Sequence, residues 1–147
     1  MKKIILCSLM LLFLLPGCSL LQEVNQTLNY GIEATDLIQD ANLFAEQLPE
    51  LAEQAIANPE LIDNLKQELE TMKERIINFN SLVPPEIAEE LHNQLMGYTE
   101  MMKQEIDQYL QAINDQGIDL EALKNAPILE TIQNMATLLL KIEQLGL

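Results

Sequence analysis

The residues able to do chemistry are two cysteines, Cys7 and Cys18, a single histidine, His92, and 23 Asp and Glu. Glu89 and His92 stand at i,i+3, so both fall on one side of a helix. That is the spacing of one Glu-x-x-His half of a di-iron bundle, which takes a second copy and two further glutamates. The sequence has no second copy. Zinc takes three or four good ligands, more than one His without cysteines supplies, so no metal site is expected. The lone His has no evident Ser or Cys partner, and there is neither a Gly-x-Ser-x-Gly elbow nor a Gly-rich phosphate loop. Paired carboxylates of the glycosidase kind need a cleft that a small bundle lacks. The expectation is a protein that is not an enzyme and needs no cofactor. His92 is expected half-buried on its helix, bonding a neighbouring loop. With Phe44, Tyr98 and Met102 it makes up the candidate binding residues. A pocket lined by Phe44, Tyr98 and Met102 would mark a binder of a hydrophobic small molecule or of cations. A continuous exposed apolar stripe would mark a protein partner or self-association instead.

Cys18 draws its meaning from what precedes it. Lys2 and Lys3 form a positive start, and residues 4–15 are apolar except for Ser8. Twelve residues of helix span about 18 Å, short of the roughly 30 Å hydrocarbon core, so this run fits a signal segment better than a permanent span. Leu15-Pro16-Gly17-Cys18 closes it. These residues resemble the Leu-x-Gly-Cys lipobox of bacterial lipoproteins, with Pro16 where Ala, Ser or Thr is commoner. The resemblance implies a diacylglyceryl group on the Cys18 sulfur and cleavage just before Cys18. Cys7 would leave with residues 1–17, so the remaining chain would hold no free thiol and no disulfide.

The 130 residues from Cys18 onward contain all the acids against six Lys and Arg, a balance near −17. Nucleic acid requires a basic footprint and is not an expected partner. Electrostatic docking on anionic lipid is disfavoured for the same reason. The plain reading of the acids is a solvated surface.

Leu, Ile, Ala, Met, Glu and Gln dominate, and no segment alternates with a period of two, so the chain reads as all-α. Residues 18–30 are a short lead-in in which Leu20, Leu21, Val24 and Leu28 keep near-helical spacing, so helix should begin close to the membrane. Residues 31–147 form the bundle. A first helix, about 21–57, carries Leu37, Ala41, Phe44, Leu48, Leu51 and Ala55 on one stripe and no Lys or Arg; Pro49 predicts a kink or a restart. Asn58-Pro59-Glu60 starts a second, about 59–80, whose Lys66, Lys73 and Arg75 suit it to lie beside the acidic first helix. Pro84 and Pro85 start a third, about 85–115, with Gly97 in its middle and Gly117 as a C′ residue beyond it. Asp119 caps a short helix through Lys124, and Asn125, with Pro127 two residues on, begins a last helix that runs toward Gly146. Tyr98 and Tyr109, three turns apart, share a face, and the methionines at 72, 96, 101, 102 and 135 lie near the apolar stripes. Short loops make the helices antiparallel: three long helices and a broken fourth, after an N-terminal signal helix.

Taken together, the lipobox, the acidic helical body, and Pro85-x-x-Ala88-x-x-x-His92 followed by Tyr98 and Tyr109 resemble small uncharacterised lipoproteins of Bacillus-type Gram-positive bacteria. That resemblance implies display on the extracytoplasmic face of the cell membrane, held there by a lipid anchor. An envelope protein or a second copy is the expected partner, and no small-molecule ligand is specified.

Overall fold

The computed structural model describes residues 17–115, 118–119 and 127–147. The signal segment with Leu15 and Pro16, the Gly117 helix end, and the short helix expected after Asp119 lie outside the described residues.

Helix α1 is Gly17–Ala57, α2 is Ile62–Asn80, α3 is Glu89–Asp115, α4 is Pro127–Ala136 and α5 is Leu139–Leu145. Single 3-10 turns, Pro59–Leu61 and Glu86–Ala88, lead into α2 and α3. Among the described residues every element is helical, so the fold is an all-α bundle. At 1.5 Å per residue, α1 is about 60 Å long. It starts in the lead-in and passes through Pro49 as one helix, without the restart the proline suggested. Asn58 caps the next turn as its position predicts, its side-chain oxygen accepting from the Glu60 N–H at 3.2 Å.

Helix α1 packs on α2 and α4, and α3 packs on the same two from the opposite corner. Arg75 of α2 pairs with Asp40 of α1 at 2.5 Å, as its charge suggested. Lys73 turns the other way and joins Asp107 of α3 at 2.7 Å and Glu70 at 3.4 Å. These pairs, and the packing of the start of α1 against the end of α2, make the neighbours antiparallel. The fourth arm is broken at Thr137–Leu138, where the Thr137 hydroxyl turns back to donate to the Asn134 carbonyl at 2.7 Å.

The core is aliphatic: Ile38, Leu48, Leu65, Leu69, Ile76, Leu95, Ile106, Ile128 and Ile132 are all but inaccessible to water. The α1 stripe is wider than a two-position seam. Ile38 and Ala52 join Leu37, Ala41, Phe44, Leu48 and Ala55, while Leu51 lies at the edge. Such widening is expected for a helix that meets two neighbours. Met72, Met102 and Met135 fill the core, whereas Met101 faces solvent. A Cβ on Gly97 would meet nothing within 4 Å, so this glycine marks no close helix contact.

Candidate functional site

One end of the bundle gathers most of the features that set this chain apart from a plain helical bundle. It is the end nearest Cys18, which lies in the first turn of α1. From there α1 runs twelve residues, about 18 Å, before Tyr30 enters the core. Residues 24–29 are exposed or partly exposed, so α1 reaches the bundle as a projecting rod.

Tyr30 meets Phe79 at the end of α2 and His92 near the start of α3. The ring centroids are 6.0 Å apart for Tyr30 and Phe79, 5.8 Å for Tyr30 and His92, and 5.3 Å for Phe79 and His92. His92 is therefore buried, and its partner is not a loop but the Tyr30 hydroxyl of α1, 3.2 Å from Nδ1. The half-buried position expected for His92 is corrected: the neighbours that bury the ring, Tyr30 and Phe79, come from two other helices. Burial lowers the pKa of His92 and raises that of Tyr30. Burial thus favours the neutral form of both, and the phenol oxygen and Nδ1 share one hydrogen bond. Tyr30 was missed as a core residue because it ends the lead-in. Reading the α1 stripe backward from Leu37 finds it, since Tyr30, Ala34, Leu37 and Ala41 are spaced 4, 3 and 4.

The chain's last residue closes the same end. Gly146 adopts the left-handed conformation, φ 70°. Its N–H reaches the Glu143 carbonyl at 3.1 Å, and the Leu147 N–H reaches that of Ile142 at 3.2 Å. This pair of bonds is a Schellman cap. It turns Leu147 back onto α1 at Gly31, where a Cβ would lie 2.4 Å from the Leu147 carbonyl carbon.

The other candidates do not converge here. Phe44 lines a cleft of about 230 Å³ between α1 and α2, with Leu43, Leu51, Met72 and the Asp40–Arg75 pair around it. Met102 is fully buried, and Tyr98 is partly buried against the core. The three therefore do not line one pocket. Among the described residues no three His, Cys, Asp or Glu side chains are grouped to hold a metal ion. Glu105 is drawn inward beside the start of α4, where it accepts from the Ile128 N–H while burial raises its pKa. Beside it, burial and the Glu105 charge push the pKa of Tyr109 up to about 12. Between α2 and α3, Thr99 donates to the Asn80 side chain at 2.8 Å, and Asn80 donates to Glu100 at 3.1 Å. No described helix is long and apolar enough to cross a membrane.

Residues 30–145, from Tyr30 nearly to the end, match DUF6376, a family described as of unknown function. A protein of Bacillus subtilis (strain 168) named "Uncharacterized lipoprotein YybP" is 32% identical over 130 residues, 88% of each chain. No solved structure matches the chain.

Proposed function

The chain belongs to the DUF6376 family, and from its likeness to a named lipoprotein we propose that it is a lipoprotein, acylated on Cys18 and held at the extracytoplasmic face of the cell membrane. There it serves as a structural or protein-interaction module of the envelope, and the reading assigns it no reaction. The similarity to a named lipoprotein over 88% of both chains carries the proposal. Leu15-Pro16-Gly17-Cys18 supplies the chemistry: a thiol to take the diacylglyceryl group and a small residue at the cut. One acyl chain gives reversible membrane attachment, and two on one sulfur give a stable one.

The body fits a displayed module better than a ligand carrier. Its core is filled by aliphatic side chains, and Met102, a candidate ligand contact, has no exposed surface. The test is Cys18→Ala followed by membrane fractionation and mass measurement. Loss of processing, or release from the membrane, is expected. A variant that stays both processed and membrane-bound overturns the proposal. Crosslinking in growing cells then identifies the neighbour.

A further inference from the structure

The projecting start of α1 is amphipathic, and its apolar side does not continue the side that enters the core. Val24, Leu28 and Ile32 follow each other at four-residue steps and are 49%, 47% and 58% exposed. At 100° per residue their line lies roughly 150° around the helix from Tyr30, Ala34, Leu37 and Ala41. No helix of the bundle covers it. In sequence register Leu20 and Leu21 fall on the same side, next to Cys18, while Gln26, Asn29 and Glu33 occupy the far side. The apolar line stops abruptly. Beyond Ile32 the same register holds Thr35, Gln39, Glu46 and Glu53, and exposed Leu43 beside it stands apart at the cleft that Phe44 lines. The stripe is thus confined to about 22 Å of helix starting at the acylation site. The connection into α3, at this same end, adds Val83, 91% exposed, and Ile87, 55% exposed.

We infer that the start of α1 through residue 32 lies along the membrane surface as an interfacial helix, with Val24, Leu28 and Ile32 set into the outer leaflet that holds the Cys18 lipid. This rests on the anchoring proposed above and adds a second, non-covalent contact with the same bilayer. The occupant is a lipid surface because the stripe begins at the lipid-bearing residue and gives way to polar Thr35 and Gln39 where the bundle begins. A protein groove would have no reason to end there. Interfacial helices commonly carry Lys and Arg on the polar side. Helix α1 has neither, so attachment here is apolar in origin and independent of anionic lipid.

The chain has no tryptophan, so single-tryptophan variants give a clean depth measurement. Val24→Trp, Leu28→Trp, Ile32→Trp, Gln26→Trp and Asn29→Trp would each be made in the full, lipidated protein. Each would be reconstituted in phosphatidylcholine vesicles with and without brominated acyl chains. Circular dichroism checks the fold, and intact mass reports the lipid on Cys18 separately. Emission at 24, 28 and 32 should be blue-shifted and cut about twofold or more by bromine, as for side chains roughly 5–10 Å into the interface. Emission at 26 and 29 should stay near its value without bromine, and added salt or anionic lipid should change neither set. A flat pattern on lipidated protein overturns the inference while leaving the anchor standing. A blue shift at 24, 28 and 32 without quenching also overturns it, and assigns the stripe to a second copy. A missing diacylglyceryl mass instead counts against the anchoring itself.

Discussion

Substituting Gly31 by alanine pits two effects of similar size against each other, and the structure says which should win. Gly31 is interior to α1, where alanine is favoured over glycine by about 1 kcal/mol through helix propensity. Against this, the new Cβ would stand 2.4 Å from the carbonyl carbon, 2.7 Å from Cβ and 2.9 Å from Cα of Leu147. Two of those atoms are backbone, so no rotamer change relieves the overlap. The Schellman cap at Gly146 must loosen, or the Tyr30 end must shift. Overpacking of this kind costs about 1–3 kcal/mol. The expected net effect of Gly31→Ala is a destabilisation between about 0 and 2 kcal/mol. The sharper expectation comes from repeating it in a chain ending at Gly146. Without Leu147 the obstacle is gone, and Gly31→Ala should stabilise by about 1 kcal/mol. For a chain this size each kcal/mol moves Tm by about 3–4 °C. Thermal and urea unfolding of the four proteins form a double-mutant cycle, with an expected coupling of about 1–3 kcal/mol. Equal effects of the substitution in both chains would refute the contact between Gly31 and the C-terminus.

Three further expectations concern the same end and the first cap. His92 has a folded pKa below its ordinary 6.5, so the unfolded chain takes up the proton first. The stability this neutral histidine allows is complete above pH 6.5 and falls as pH drops toward the lowered value. His92→Gln should flatten that part of a stability–pH profile measured by urea unfolding. Tyr30→Phe leaves Nδ1 of His92 buried without its hydrogen-bond partner and should cost about 1–3 kcal/mol in the same assay. Asn58→Ala removes the side-chain cap before α2 and should cost about 1 kcal/mol, read as a lower Tm.

Helix positions were readable because a bundle repeats one physical rule. Apolar residues at steps of three and four bury one side, and Asn58, Pro59, Pro84 and Pro85 punctuate the runs. Arg75 was also readable, since the first helix carries acids and no cation. Periodicity identifies a buried side without naming the helix that covers it. That is why His92 could be seen as a helical residue while its partner, 62 positions away, could not. The closeness of Gly31 and Leu147 was hidden for the same reason, since both ends of the chain must be folded before the lack of a Cβ matters. The break at Thr137 has no glycine or proline to announce it. There the Thr137 hydroxyl and N–H both donate to the Asn134 carbonyl.

Because α1 passes from the Cys18 turn into the core as one helix, the bundle would have no hinge between its body and the proposed anchor at Cys18. A lipoprotein on a flexible stalk samples all orientations and a volume set by stalk length. One rooted by a stiff rod gives up that search. Its reach is fixed, and every copy in a patch of membrane presents the same side outward at the same height. Rotational freedom that association would otherwise remove has then been lost beforehand, at the moment of anchoring. Weak contacts between neighbours or with a membrane-embedded partner gain accordingly, while partners farther out lie beyond the protein's radius. Two-dimensional confinement, more than any deep pocket, would make even shallow clefts such as that beside Phe44 count.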